Sequence, residues 1–137
     1  MRAVLDTNVI VSGLLFGGVP REVLECAQRG VFTMVVSREI LAEYTEVVNR
    51  VAGQYRVSRA QGVLDALVGV SELALSVDLK QQVCPDPKDD MFFATAYAAN
   101  VTTIVSGDKH LKAASGWRGI GVLSPATFLR ALHRAER

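Results

Sequence analysis

Long apolar runs are missing from this chain. No uninterrupted stretch approaches the roughly 18 residues that a membrane-spanning helix requires, and the charged-then-apolar opening breaks at Asp6, too early for a signal peptide. Cysteine is scarce. Cys26 and Cys84 stand far apart, with no C-x-x-C and no Cys/His cluster, so neither a zinc site nor a disulfide framework is expected. Cys26 falls inside a helical pattern and reads as a small core residue. A surplus of one charge is also lacking: 15 Lys and Arg face 14 Asp and Glu, a net charge of +1. Composition therefore does not announce a nucleic-acid binder. There are no repeats and no low-complexity tracts. What remains is a chain of 137 residues, half of them hydrophobic and 21% charged. That is the make-up of one globular domain, residues 1–137, with a cytoplasmic location expected.

The apolar residues fall into short runs separated by helical patterns. Ala3–Leu5, Val31–Val36, Leu73–Val77, Val101–Val105 and Ile120–Leu123 read as strands, the third at an edge. Between them, Val9–Leu15 reads as a short helix or turn, and a helix begins near Pro20 and stops at Gly30. Ser37 caps a helix carrying Ile40, Leu41, Tyr44, Val47, Val48 and Val51. Val57–Val70 is helical, with Ser58 as its cap. Ser124-Pro125 opens a last helix, whose Arg130, His133, Arg134 and Arg137 form a basic, solvated tail. Trp117 is expected against the sheet edge. Runs of branched apolar residues suit strands buried on both faces. The alternation of strand and helix therefore predicts an α/β fold with a central parallel sheet of about five strands, flanked by helices on both faces.

Acids stand at telling places in this frame. Asp6 follows the first strand, and Asp108 follows the fourth in Ser106-Gly107-Asp108. In open parallel sheets, ligands collect beyond the carboxyl ends of the strands. Glu43 lies at the margin of the apolar stripe of its helix, able to lean into a cleft. In Asp86-Pro87-Lys88-Asp89-Asp90, Asp86 serves as N-cap and Asp89 as the third helical residue, roles that a helix start explains by itself. Asp90 shares a helical face with Met91, Ala94, Tyr97 and Ala98, where a carboxylate is costly without a partner. Carboxylates converging on one crevice would repel each other unless a divalent cation sat among them. Oxygen ligands without Cys or His favour Mg²⁺ or Mn²⁺.

Asp6-Thr7-Asn8, the Ser37…Glu43 helix start, Asp90 ahead of an alanine-rich helix, and Ser106-Gly107-Asp108 together resemble the PIN-domain family. The interval from Asp90 to Asp108 matches that family, and the resemblance spans essentially the whole chain. Asp-Pro-Lys-Asp-Asp and Ser-Gly-Asp-Lys look closest to bacterial and archaeal members described as toxins of toxin–antitoxin pairs, the VapC-like ribonucleases. The resemblance implies a metal-dependent endoribonuclease with Asp6, Glu43, Asp90 and Asp108 as an acidic quartet, supported by Asn8 and Ser106. It also implies one or two Mg²⁺ (or Mn²⁺) ions, RNA as substrate, a homodimer and a small antitoxin partner. Asp89 and Asp86 are further candidate acids, because a one-residue slip would exchange Asp89 for Asp90. Interval and buried face favour Asp90. Arg21, Arg38, Arg50, Lys88, Lys109 and Lys112 could line an approach for an RNA backbone.

Other readings use the same acids. A receiver or phosphatase domain also places acids at strand ends, but an Asp-x-Asp phosphatase wants an acid where Asn8 stands. A housekeeping RNA-processing nuclease, or a non-catalytic RNA- or protein-binding module, would share the fold. A module, however, has no need for four mutually repelling acids.

Overall fold

The computed structural model describes residues Met1–Glu136; Arg137, read above as part of the basic tail, lies outside the described residues. Five parallel strands form one sheet in the order β3-β2-β1-β4-β5: β1 (Arg2–Leu5), β2 (Thr33–Val36), β3 (Glu72–Leu73), β4 (Thr103–Val105) and β5 (Gly121–Leu123). Helices α1 (Thr7–Leu15) and α2 (Gly18–Gln28) link β1 to β2. Helices α3 (Arg38–Tyr55) and α4 (Ala60–Gly69) link β2 to β3. Helix α5 (Asp90–Ala98) precedes β4, α6 (Lys109–Ala113) precedes β5, and α7 (Pro125–Ala135) closes the chain. No described helix is long and apolar enough to cross a membrane.

The strand order sets the place of the site. The chain steps outward from β1 to β3, then crosses back to β4 on the other side of β1. Right-handed crossovers put the returning helix α5 on the opposite face from the outgoing ones. The reversal lies between β1 and β4, which pair through Val4 with Ile104 and Leu5 with Val105. A crevice opens at such a reversal, beyond the carboxyl ends of the two strands.

Burial explains the strands. Ala3, Val4, Leu5, Val35, Ile104 and Val105 are inaccessible to solvent, as expected for strands covered on both faces. One continuous core also takes in Ile10, Tyr44, Phe92, Phe93 and Phe128. Phe32 and Phe128 meet edge to face at 4.9 Å, anchoring α7 beside the end of α2. Gly30 adopts φ +77 after that helix, a conformation open to glycine at no steric cost.

Three elements differ from the sequence expectation. The third strand is only Glu72–Leu73. Ala74 N–H still donates to Val36 O at 2.7 Å, but Ser76 then bonds Glu39 and the chain leaves the edge. Helix α4 begins at Ala60 with Arg59, not Ser58, at the cap position. Trp117 packs on α5 rather than the sheet edge, edge to face with Phe93 and Tyr97 at 5.9 Å each.

Candidate active site

Asp6 sits where β1 becomes α1. Its N–H donates to Val105 O at 2.9 Å and its carbonyl accepts from Val9 N–H at 3.0 Å, so its backbone is tied into both β4 and α1. The side chain is 4% exposed. Burial raises its pKa above the usual carboxylate value, the hydrogen bond from the Ser106 hydroxyl and the nearby Asn8 backbone N–H oppose this, and the charges of Asp108 and Glu43 add to the rise. Ser106, fully buried, joins the two strand-end acids. Its hydroxyl donates to Asp6 Oδ2 at 2.7 Å and accepts from Asp108 N–H at 2.9 Å. Asp108 also caps α6, with Oδ1 accepting from His110 N–H at 2.7 Å.

Glu43 arrives from α3, whose start is fixed by the buried Ser37. Ser37 Oγ accepts from Ile40 N–H at 3.4 Å and from the Thr95 hydroxyl at 2.8 Å. Glu43 then accepts a hydrogen bond from Thr7, a buried residue of the Asp6-Thr7-Asn8 turn. The next residue, Tyr44, is fully buried and donates its hydroxyl proton to the carbonyl of Leu5, bolting α3 to the end of β1. Burial, with the charges of Asp6 and Glu43, pushes the Tyr44 phenol well above its ordinary pKa. Thr7 and Tyr44 were not read from the sequence as site residues. A threonine beside a strand-end acid carried a signal, but only the fold shows that it reaches Glu43.

The acidic stretch at 86–90 divides its tasks. Pro87–Asp89 form a 3-10 turn, and Asp86, exposed, caps it by accepting from Lys88 N–H at 3.0 Å. Asp89 lies in electrostatic range of Asp6, Asp108, Asp86 and Glu43. Partial burial and these charges push its pKa up to about 6. Asp90 makes other bonds: Oδ1 accepts from Cys84 N–H at 2.7 Å and Oδ2 from Val83 N–H at 3.0 Å. The partner its carboxylate finds is thus the backbone of the loop that leads into α5. Nor is its helical row the deeply buried one. Tyr97 is 42% exposed, while Phe92, Phe93 and Ala96 are essentially inaccessible. The neighbouring Cys84 thiol is pushed up to about 12, by burial first and then by Asp90, and is inert.

The Asn8 backbone N–H favours the charged form of Asp6, and the residue is exposed. Among the described residues, no Lys or Arg forms an ion pair with Asp6, Glu43, Asp89 or Asp108; the pairs that exist are Arg2–Glu72, Arg50–Glu46 and Lys80–Asp78. Among the same residues no three His, Cys, Asp or Glu side chains stand together as a ready-made metal cage. The reason is visible in the bonds above: Glu43 is held by Thr7, Asp108 by its helix cap and Asp90 by the loop. The donors nonetheless fit a hard divalent cation. They are all oxygens, they repel one another, and no cationic side chain neutralises them.

A family model described as PIN domain matches residues 2–110. The chain belongs to the PIN-domain family. No curated protein matches it. Among solved structures, the crystal structure of VapBC2 from Rickettsia felis bound to a DNA fragment from their promoter aligns with a TM-score of 0.63 and 19% identity. The alignment covers 90% of this chain and 98% of that one. At that identity the likeness is one of fold. As a PIN domain, the chain has the parallel five-stranded sheet and family membership that accord with nuclease activity.

The raised carboxyl groups predict a pH dependence. A carboxyl whose folded pKa exceeds its unfolded value stabilises the fold when protonated. That contribution is present below Asp89's ordinary 3.8 and is lost as pH rises through about 6. Asp6 acts in the same direction. In EDTA, wild-type protein should therefore lose thermal stability relative to Asp89→Asn as pH rises from 4 to 7. A difference between the two melting curves that does not change with pH would remove Asp89 from the charge cluster.

Proposed function

We infer that this PIN domain is a metal-dependent endoribonuclease that hydrolyses phosphodiester bonds. The observation carrying this reading is the buried Asp6, bridged to Asp108 by Ser106 at the β1–β4 reversal, with Glu43 and Asp89 in electrostatic range and no Lys or Arg paired to it among the described residues. Asp6, Glu43, Asp108 and Asp89 are the residues assigned to hold Mg²⁺ or Mn²⁺. Asp90, the family interval's candidate, is assigned the shaping of the 83–84 loop instead. A divalent ion there would polarise a phosphoryl oxygen and lower the pKa of a water at neutral pH.

The chain's own groups do the rest. Ser106 holds the Asp6 carboxylate in one orientation. Thr7 does the same for Glu43. Carboxylates pinned in advance lose little freedom on binding a cation. Asp89, with its raised pKa, can hold or release a proton near neutrality in the absence of metal. Arg38, Lys88 and Lys109 are exposed and stand at the starts of α3, the 3-10 turn and α6, which all follow strand ends or adjoin the acids. They are suited to guide an RNA backbone toward the crevice.

The test is direct. Pure protein should cleave single-stranded RNA with Mg²⁺ or Mn²⁺ and lose that activity in EDTA. Cleavage that survives EDTA, or an aspartyl phosphate formed on Asp6 with a phosphoryl donor, would overturn the reading. The partner reading goes with it: a toxin acting as a homodimer and silenced by a small antitoxin. It is supported by the likeness to VapBC2 and by exposed aromatic surface. Val9–Val11 are buried, but Phe16 and Tyr55 are 58% and 60% exposed and meet edge to face at 5.1 Å. A monomeric mass by light scattering, or a co-expressed neighbouring gene product that does not copurify, would count against it.

A further inference from the structure

The carboxamide of Asn8 is the part of the Asp6-Thr7-Asn8 turn that the carboxylate site leaves unused. It lines a cavity of about 170 Å³ with Val9, Ser12, Pro20, Gly107 and Pro125. We propose that this cavity is a subsite for one nucleobase of the RNA, beside the phosphodiester to be cut; the proposal rests on the ribonuclease reading above.

Position comes first. Asn8 is two residues from Asp6, and Gly107 lies between Ser106 and Asp108. The cavity therefore adjoins both strand-end acids, on the side toward α1 and the start of α7. Chemistry narrows the occupant. No charged side chain lines the cavity, so it is not built for a phosphate, an ammonium group or a carboxylate. Val9 and the rings of Pro20 and Pro125 supply apolar surface for the flat face of a base. The Asn8 carboxamide carries both donors and an acceptor, and the Ser12 hydroxyl can act as either. That pairing is the complement of a base's hydrogen-bonding edge, which single-stranded RNA exposes. Apolar walls with a few placed polar groups are what small-ligand pockets share. Gly107 leaves the rim open, since a Cβ built there meets nothing within 4 Å.

Two measurements test this. In the first, the four ribonucleosides are titrated into the protein and followed by NMR. The Asn8 side-chain NH₂ and the Ser12 and Gly107 amides should shift and saturate, one base binding best, while ribose alone shifts nothing. Asn8→Ala should weaken that binding about tenfold, the scale of one lost edge contact. In the second, cleavage of RNAs differing in the base next to the cut is compared. Asn8→Ala and Ser12→Ala should each flatten the base preference, and Ser12→Ala should leave Mn²⁺ affinity as in wild type. Signals unmoved by nucleosides, or a base preference that survives both variants, would sink the subsite while leaving the nuclease reading intact. A protein that binds nucleosides here but cuts no RNA would retain the subsite and lose the nuclease.

Discussion

Replacing Asp6 by asparagine should reduce RNA cleavage by about 10²–10³-fold or more, the scale on which removal of one preorganised electrostatic group acts at a reacting centre. The fold should survive. Asparagine keeps a carbonyl oxygen to accept the Ser106 hydroxyl, and the backbone bonds to Val105 O and from Val9 N–H do not involve the side chain. Metal-free protein should even melt higher, because a buried carboxylate close to Asp108 and Glu43 has been neutralised. Loss of activity together with equal or greater stability in EDTA is thus the signature of a functional acid. Circular dichroism melts beside a cleavage assay measure both. An active Asp6→Asn protein would require a different centre altogether.

The second large effect separates two adjacent residues. Asp89→Asn should abolish tight Mn²⁺ binding and cleavage while leaving the loop before α5 unchanged. Asp90→Asn should do nearly the reverse. Its carboxylate accepts from two backbone N–H groups, at 2.7 and 3.0 Å. An asparagine in its place offers one oxygen and turns an NH₂ toward the other N–H, leaving a part-buried donor unpaired. That costs about 1–3 kcal/mol and should appear as a lower melting temperature. The amides of Val83 and Cys84 should exchange faster with solvent, and cleavage should recover at raised Mn²⁺ concentration, since the metal-holding acids remain. Isothermal titration with Mn²⁺ and amide exchange distinguish the cases. If Asp90→Asn loses metal while the two amides stay protected, Asp90 is the ligand and the family interval was the better guide.

Much of this protein could be read along the chain. Buried strands of branched apolar residues, each followed by an acid or a cap, specify a parallel sheet with polar groups at its carboxyl edge. That pattern is local, so Asp6, Ser37, Ser106, Asp108 and Ser124 are where the sequence places them. The family assignment rests on the same local motifs. The third strand was overlong because Leu75 and Val77 are apolar yet exposed, and nothing in their identity says that the sheet edge has already ended.

Tertiary structure alone decided the rest. Residues Asp6 and Ser106 are a hundred positions apart, and their hydrogen bond exists because β4 returns to pair with β1 rather than with β3. Thr7 reaching Glu43, and Tyr44 reaching Leu5, follow from how α3 leans on the end of β1. The different surroundings of Asp89 and Asp90 are the sharpest case: Asp90 bonds the 83–84 loop, while Asp89 lies in electrostatic range of the other acids. Neighbouring helical residues point about 100° apart, so helical periodicity separates them only where a helix has one apolar face. Helix α5 is apolar on nearly every side, and its buried face is settled by what packs against it. The loop at 83–84, which occupies the Asp90 carboxylate, carries no motif at all; its two N–H groups matter only because the folded chain brings them there.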